Sequence, residues 1–398
     1  MSERLCAEGR FDPEPGPPRT GPPGVPVFAP TTRGIRMRAA ILTTQPGTLD
    51  IVDVDIDAPG PGEVLIRTAA CGLCHSDIHI LDGAIPHTRP AVLGHEASGT
   101  VLAVGEGVTR VAPGDHVVAC LSVFCGRCRQ CARGRTWLCS NKAATMRGAD
   151  DKPRLSMNGD PVNASSWIGG LAEQMLLHEN AVVAIDPAMP LDVAAVIGCA
   201  VTTGVGAAWR SADIAAGETV AVIGCGGIGL NIVQGARLRG AGRVIAVDLQ
   251  PAKRELALRL GATDVVDAAN ADAVAEVLAL TGGFGVDHAF EAIGLGATIG
   301  QAVAMTSAGG TAYVVGVTPM TATVDVPGYA LWGQGKTVKG VHMGSNTFTT
   351  DMPRYVEMYL QGRLFIDELI SRRIPLAEVN DAYDALRKGE VARSVVVF

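Results

Sequence analysis

The run Thr219-Val-Ala-Val-Ile-Gly224-Cys225-Gly226-Gly227-Ile228-Gly229 decides the fold. A short apolar strand runs straight into G-x-G-x-x-G, and a helical pattern through Ile232, Val233 and Ala236 follows at once. Gly224 permits the tight turn and Gly226 lets the backbone approach a pyrophosphate. Gly229 lets helix and strand pack closely, and the helix N-terminus faces the phosphate charge. A second strand, Arg243–Asp248, ends in an acid 19 residues after Gly229. A carboxylate there takes the adenosine ribose hydroxyls and repels a 2′-phosphate, so the unit reads as a site for NAD rather than NADP. Lys253 is placed to support the ribose, and Cys225 fills a variable loop position as a small side chain.

Outward from this loop the chain divides. Beyond about Thr202 strands alternate with helices: Arg243–Asp248, a Lys253–Leu260 helix, Val265–Asp267, Val286–Glu291 and Gly310–Val317. That alternation is the mark of parallel β-α-β units. Upstream, from Met37 to about Val118, short strands are broken by turns such as Pro59-Gly60-Pro61-Gly62, which suggests a compact, largely antiparallel β domain. Residues 1–36 are crowded with Pro and Gly and read as a disordered tail, with Cys6 given no role. After about Gly340 come helical segments at Met352–Gln361 and Ala377–Lys388 and a last strand, Ser394–Phe398.

At 398 residues the chain holds two cores, and 47% hydrophobic with 18% charged residues suits a globular protein. A formal net charge of −7 without a basic run argues against nucleic acid and against an electrostatically held membrane surface. No stretch is read as long and apolar enough to cross a bilayer, and the start lacks the pattern of a secretory signal. Ten cysteines, most of them in metal-type spacings, point to the reducing cytoplasm.

Cys125, Cys128, Cys131 and Cys139 stand at C-x2-C-x2-C-x7-C. Two-residue spacers let successive sulfurs turn inward, which matches a closed, structural zinc site; an iron–sulfur cluster uses the same donors. A second constellation lies upstream: Cys71-Gly72-Leu73-Cys74-His75-Ser76-Asp77-Ile78-His79, then Gly94-His95-Glu96, then Gly198-Cys199. Two thiolates and one imidazole leave a fourth position open, the geometry of a catalytic zinc that acts as a Lewis acid on an alcohol oxygen.

In this order the four motifs resemble those of a zinc-dependent alcohol dehydrogenase of the medium-chain dehydrogenase/reductase superfamily, over about Met37 to Phe398. The resemblance implies an α/β fold: a GroES-like β-rich catalytic domain (37–200 with 343–398) and an inserted Rossmann domain with a doubly wound parallel sheet (201–342). It implies Cys74, His95 and Cys199 as catalytic zinc ligands, making two zincs per chain with the cysteine lobe. Glu96 resembles an acid behind that metal, and Asp77 the carboxylate that orients the ligand histidine. Ser76 and His79 match the start and end of a proton relay through a cofactor ribose hydroxyl. Thr203 and Ile228 resemble residues that pack on the nicotinamide, Val315 and Val317 flank the carboxamide position, and Arg393 matches a base that reaches the cofactor phosphate. Cys71 matches no ligand and reads as core.

The pocket positions Ile85, Leu121, Trp167 and Ile168 are apolar, which favours a hydrophobic primary or secondary alcohol. Glutathione-linked formaldehyde dehydrogenases of this family carry an acid and an Arg near the pocket entrance, where Ile85 and Ala143 stand here; another thiol conjugate, such as one of mycothiol, stays open. A catalytically silent dinucleotide-binding relative is the reading of another class, and it is expected to lose a zinc ligand or the relay. Quinone reductases of the superfamily normally lack both zinc sites. The resemblance also implies a homodimer or homotetramer joined partly through the Rossmann sheets.

Overall fold

The computed structural model describes residues 35–148, 150–319, 321–389 and 392–398. Cys6 and the Pro/Gly-rich run to residue 34 lie outside them. The first strand is Ile35–Leu42, two residues earlier than the sequence pattern suggests, because Ile35 and Arg36 already pair with Ile56 and Asp55.

Two β-systems form the first half. Ile35–Leu42, Leu49–Ile56, Leu155–Met157, Asp160–Ala164 and Ala91–Val92 close into a small barrel. A second sheet runs in the order Val182–Ala184, His116–Ala119, Glu96–Val104, Glu63–Gly72, Ser394–Val397, Arg372–Ile374, and Gln174–His178 also pairs with Glu63–Gly72. The chain's last strand is therefore central to the first domain: Val395–Val397 pair antiparallel with Gly72–Ala70. That pairing carries Arg393 to the strand that ends just before Cys74.

The second half is a six-stranded sheet, ordered Asp264–Asp267, Arg243–Asp248, Thr219–Ile223, Val286–Glu291, Thr306–Val314, Thr337–Gly340. Every neighbour pairs in parallel. The order reverses at Thr219–Ile223, so the crevice beyond its carboxyl end is where this topology binds dinucleotides. The expected strand Gly310–Val317 ends at Val314; Val315 and Gly316 turn away as both amides donate to the Glu291 carbonyl.

One expectation is corrected. Leu191–Ser211 is 21 residues long and apolar enough to pass for a membrane span, yet 89% of its most apolar window is buried inside the protein. It is the helix that joins the two halves. Its hydrogen bonding widens at Ile197–Val201 and Ala207–Ser211, with the Ala212 amide reaching five residues back to Ala207. Such widened turns recur at functional sites, and Cys199 sits in the first of them.

Candidate active site and metal centres

Three separate elements bring one buried cluster together. Cys74 precedes the short helix His75–Leu81, His95 precedes the strand Glu96–Val104, and Cys199 comes from the widened helical turn. Ligand atoms of Cys74, His95, Glu96 and Cys199 all lie within 4.8 Å of one another. His95 Nε2 is buried and has no hydrogen-bond partner among the described residues, while His95 Nδ1 lies 3.2 Å from Asp77 Oδ1. Nδ1 is thus held by a carboxylate and Nε2 is left for a metal, the usual arrangement of a ligand histidine. Burial opposes charge on His95, yet Asp77 and the Cys74 thiolate together raise its pKa well above the ordinary value. Cys199 and His95 beside it hold the Cys74 thiol well below its ordinary pKa, and Cys74 with burial holds Cys199 well above. Two soft sulfurs and an orphaned imidazole nitrogen in a buried pocket fit zinc.

Glu96 is fully buried, and burial pushes it up to about 8 against the pull of Arg393. Arg393 NH1 lies 3.2 Å from Glu96 Oε1, close but not aligned for a hydrogen bond, and donates instead to the Leu73 carbonyl at 2.8 Å. The same guanidinium packs on the dinucleotide loop, since a Cβ on Gly227 would come within 2.4 Å of NH2. Arg393 therefore touches both the metal cluster and the loop.

The loop has the expected form. Gly224 adopts φ +90°, and a Cβ on Gly229 would lie 1.8 Å from the Gly224 carbonyl oxygen, so only glycine lets the helix Gly227–Leu238 close on the strand. Gly226 is the residue before that helix, with open space where its Cβ would be. Asp248 receives the Cys225 amide at 2.8 Å and the Gln250 amide at 2.9 Å. Lys253 stands on the helix Pro251–Arg259, one residue before Arg254. Arg254 NH1 donates to the Asp248 and Leu249 carbonyls, and NH2 lies 2.9 Å from Asp267.

Between cluster and loop lies a cavity of about 680 Å³. Ser76, His95 and Cys199 line it at the cluster, and Thr203, Ile228, Val315 and Val317 line it as well. Ile85, Leu121 and Trp167 are also among its lining residues. The Ser76 hydroxyl lies 3.6 Å from Cys74 Sγ. His79, one turn along the same helix, is half-buried, does not line this cavity and makes no side-chain hydrogen bond among the described residues. Ile168 corrects the pocket set: it is 1% exposed and packs in the barrel-side core. The left-handed backbone at Ser166 and Trp167 turns the indole to the cavity and the following isoleucine inward.

The second cluster is the lobe itself. Sγ atoms of Cys125, Cys128, Cys131 and Cys139 lie within 4.8 Å of one another, with Cys128 to Cys131 at 3.5 Å and Cys128 to Cys139 at 3.9 Å. Hydrogen bonds from the Cys131 and Ser140 backbone lower Cys128 to about 5. Four sulfurs gathered this closely fit a closed structural zinc.

Several supporting residues carry no local sequence signal. Tyr383 OH donates to Asp77 Oδ2 at 3.1 Å from 306 positions away. The cavity-lining residues Arg147 and Arg154 are tied to the β-system by Glu63, with Arg154 Nε and Arg147 Nη2 each at 2.6 Å. Arg147 and Lys152 also grip Asp57, at 2.6 and 2.5 Å. Burial would raise Glu63, but the two arginines hold it below its ordinary value.

Two family models match the chain: the alcohol dehydrogenase GroES-like domain over residues 60–187 and the zinc-binding dehydrogenase domain over 227–360. It is similar to putative alcohol dehydrogenase D of Mycobacterium tuberculosis, 40% identical over 91% of this chain and 100% of that one. An NDMA-dependent alcohol dehydrogenase of Amycolatopsis methanolica is 39% identical over 91% and 99%. Benzyl alcohol dehydrogenase of Acinetobacter calcoaceticus superposes with TM-score 0.86 at 30% identity, over 92% and 99%. A protein of Sinorhizobium meliloti described as a putative zinc-binding dehydrogenase, bound to NADP, gives TM-score 0.76 at 32% identity, over 92% and 100%. The chain belongs to the zinc-dependent alcohol dehydrogenases of the medium-chain dehydrogenase/reductase superfamily, with the GroES-like and Rossmann-type domains of that family. As a member it is an oxidoreductase of the zinc and nicotinamide class.

Proposed function

We propose that this protein is an NAD-linked alcohol dehydrogenase acting on apolar primary or secondary alcohols and, in reverse, on the matching aldehydes or ketones. The observation that carries this is one cavity shared by the Cys74–His95–Cys199 cluster and the dinucleotide side, walled by Ile85, Leu121 and Trp167. A zinc held by Cys74, His95 and Cys199 supplies Lewis acidity toward the alcohol oxygen, NAD supplies the hydride acceptor, and a second zinc in the cysteine lobe is structural.

The chain's own residues do the rest. Ser76 Oγ, at the metal end, takes the substrate hydroxyl proton and passes it toward His79, one turn away at the edge of the site. Asp77, backed by Tyr383, fixes the His95 ring. Glu96 stands within ligand distance behind the cluster, and Arg393 keeps that carboxylate facing a cation. Thr203, Ile228 and the Val315–Val317 turn exclude water from the face where hydride moves. Asp248, with Lys253 beside it, takes the adenosine ribose. His75, which the motif reading passed over, is exposed at the start of its helix and feels both Arg393 and Lys253. That placement supports a role for His75 beside Arg393 on the cofactor phosphates.

The preference for NAD has a physical reason. Arg254, a guanidinium beside Asp248, is occupied by Asp267 and two backbone carbonyls rather than free for a 2′-phosphate. A panel of benzyl and long-chain alcohols and of formaldehyde with glutathione or mycothiol, each run with NAD, NADP and NDMA, tests the reading. Turnover of apolar alcohols with NAD is expected. Turnover confined to a formaldehyde–thiol adduct would overturn the substrate, and no hydride transfer with any acceptor would leave the silent relative.

The partners on this reading are small molecules and a second copy of the chain. The edge strand Thr337–Gly340 is exposed along its whole length beside Tyr329 and Trp332, the latter 81% exposed, which supports a homodimer built by sheet extension. A monomeric mass by light scattering at assay concentration would sink that. Nine described cysteines without a disulfide among them suit a cytoplasmic enzyme.

A further inference from the structure

Lys142 and Trp167 meet where the cysteine lobe joins the substrate wall. Lys142 opens the helical turn Lys142–Thr145, three residues beyond Cys139. Its Nζ lies 4.7 Å from the Trp167 ring centroid and donates to the Leu121 carbonyl at 3.1 Å. Leu121 and Trp167 both line the cavity, as does His342, which feels the Lys142 charge. One ammonium thus joins two walls of the pocket.

The indole needs such a hold. Ser166 and Trp167 take φ of 55° and 64°, a region that residues with a Cβ rarely occupy. Consecutive outliers of this kind persist only where the surroundings over-determine them. An ammonium over an aromatic ring, half-withdrawn from water, is among the stronger contacts open to a tryptophan. Burial lowers the pKa of Lys142, so the ring and the carbonyl are what repay its placement.

We propose that Lys142 is a positioning residue that locks Trp167 as the specificity wall of the alcohol pocket, selecting alcohols with a flat aromatic body over short aliphatic ones. This rests on the alcohol dehydrogenase reading and names its substrate class more narrowly. Released from the ammonium, the indole turns away and an aromatic substrate loses its flat contact. A two-carbon alcohol offers the ring no flat face and on this proposal loses nothing.

The test compares Lys142→Met, Lys142→Gln and Lys142→Arg with the parent zinc-loaded enzyme. KM and kcat are measured for benzyl alcohol and ethanol, and Kd for benzyl alcohol by NMR titration. Lys142→Met and Lys142→Gln are expected to raise benzyl alcohol KM and Kd about fivefold to tenfold. On the same reasoning kcat and the ethanol KM stay within about twofold. Glutamine keeps a donor for the Leu121 carbonyl, so its loss isolates the charge; Lys142→Arg keeps the charge and rescues. In a Trp167→Leu background the Lys142 substitutions have no further effect. Equal losses for both alcohols, failure of arginine to rescue, or an undiminished penalty without the indole would each overturn the proposal. Since Kd is read without turnover, an enzyme that oxidises neither alcohol condemns the alcohol reading while the Kd series still decides the role of Lys142.

Discussion

His95→Ala abolishes alcohol oxidation: kcat/KM falls by three orders of magnitude or more, about 4 kcal/mol of lost transition-state stabilisation. His95 Nε2 is buried and has no hydrogen-bond partner among the described residues, and Asp77 and Tyr383 orient that ring. Alanine removes the ligand and leaves the Asp77 carboxylate buried without its imidazole, so the site loses both a donor and its internal charge balance. Cofactor binding survives, because the Gly224–Gly229 turn and Asp248 belong to the other domain and share no hydrogen bond with His95 among the described residues. The measurement is steady-state turnover alongside NAD affinity by fluorescence. Activity within tenfold of the parent enzyme would remove His95 from the metal site.

Cys128→Ala acts on stability instead. The lobe has almost nothing else to hold it: its helical turns Cys131–Arg133 and Thr136–Leu138 bury no residue, and Arg127, Arg129, Arg133 and Arg135 are exposed. A loop without an apolar core keeps its shape through its metal, and losing one of four thiolates costs most of that binding energy. We expect a loss of about 4 kcal/mol and a fall of about 10 °C in Tm, read by calorimetry. Bound zinc drops from two to one, and activity at low temperature follows the folded fraction. A variant as stable as the parent that holds one zinc and has no activity would contradict the division between structural and catalytic metal.

Phosphate and metal chemistry write themselves into short spacings, which is why the dinucleotide loop and the four-cysteine lobe were legible in the sequence. Glycine alone satisfies the 1.8 Å approach at Gly229, and sulfurs two residues apart converge with little help from the rest of the chain. An open site of two thiolates and one imidazole was legible in the upstream constellation, but its members Cys74, His95 and Cys199 were singled out only by resemblance, since they meet through tertiary structure. What places Cys199, a widened turn inside a long buried helix, has no residue signature, and that helix's apolarity is the same a membrane would demand. Ile168 shows a similar limit: two left-handed residues before it decide which side chain faces the cavity. The Tyr383–Asp77 contact and the Lys142–Trp167 contact join residues whose types are ordinary and whose meaning comes from where the fold brings them.

The central claim is that alcohol oxidation here depends on a metal at Cys74, His95 and Cys199 and on NAD across the same cavity. The direct test strips the protein of metal, reloads it with zinc, and follows transfer of deuterium from α-deuterated benzyl alcohol to NAD at each stage. The account predicts about two zincs per chain in the active protein, no transfer after stripping, and deuterated NADH once zinc is restored. Undiminished transfer by the metal-free protein would contradict it.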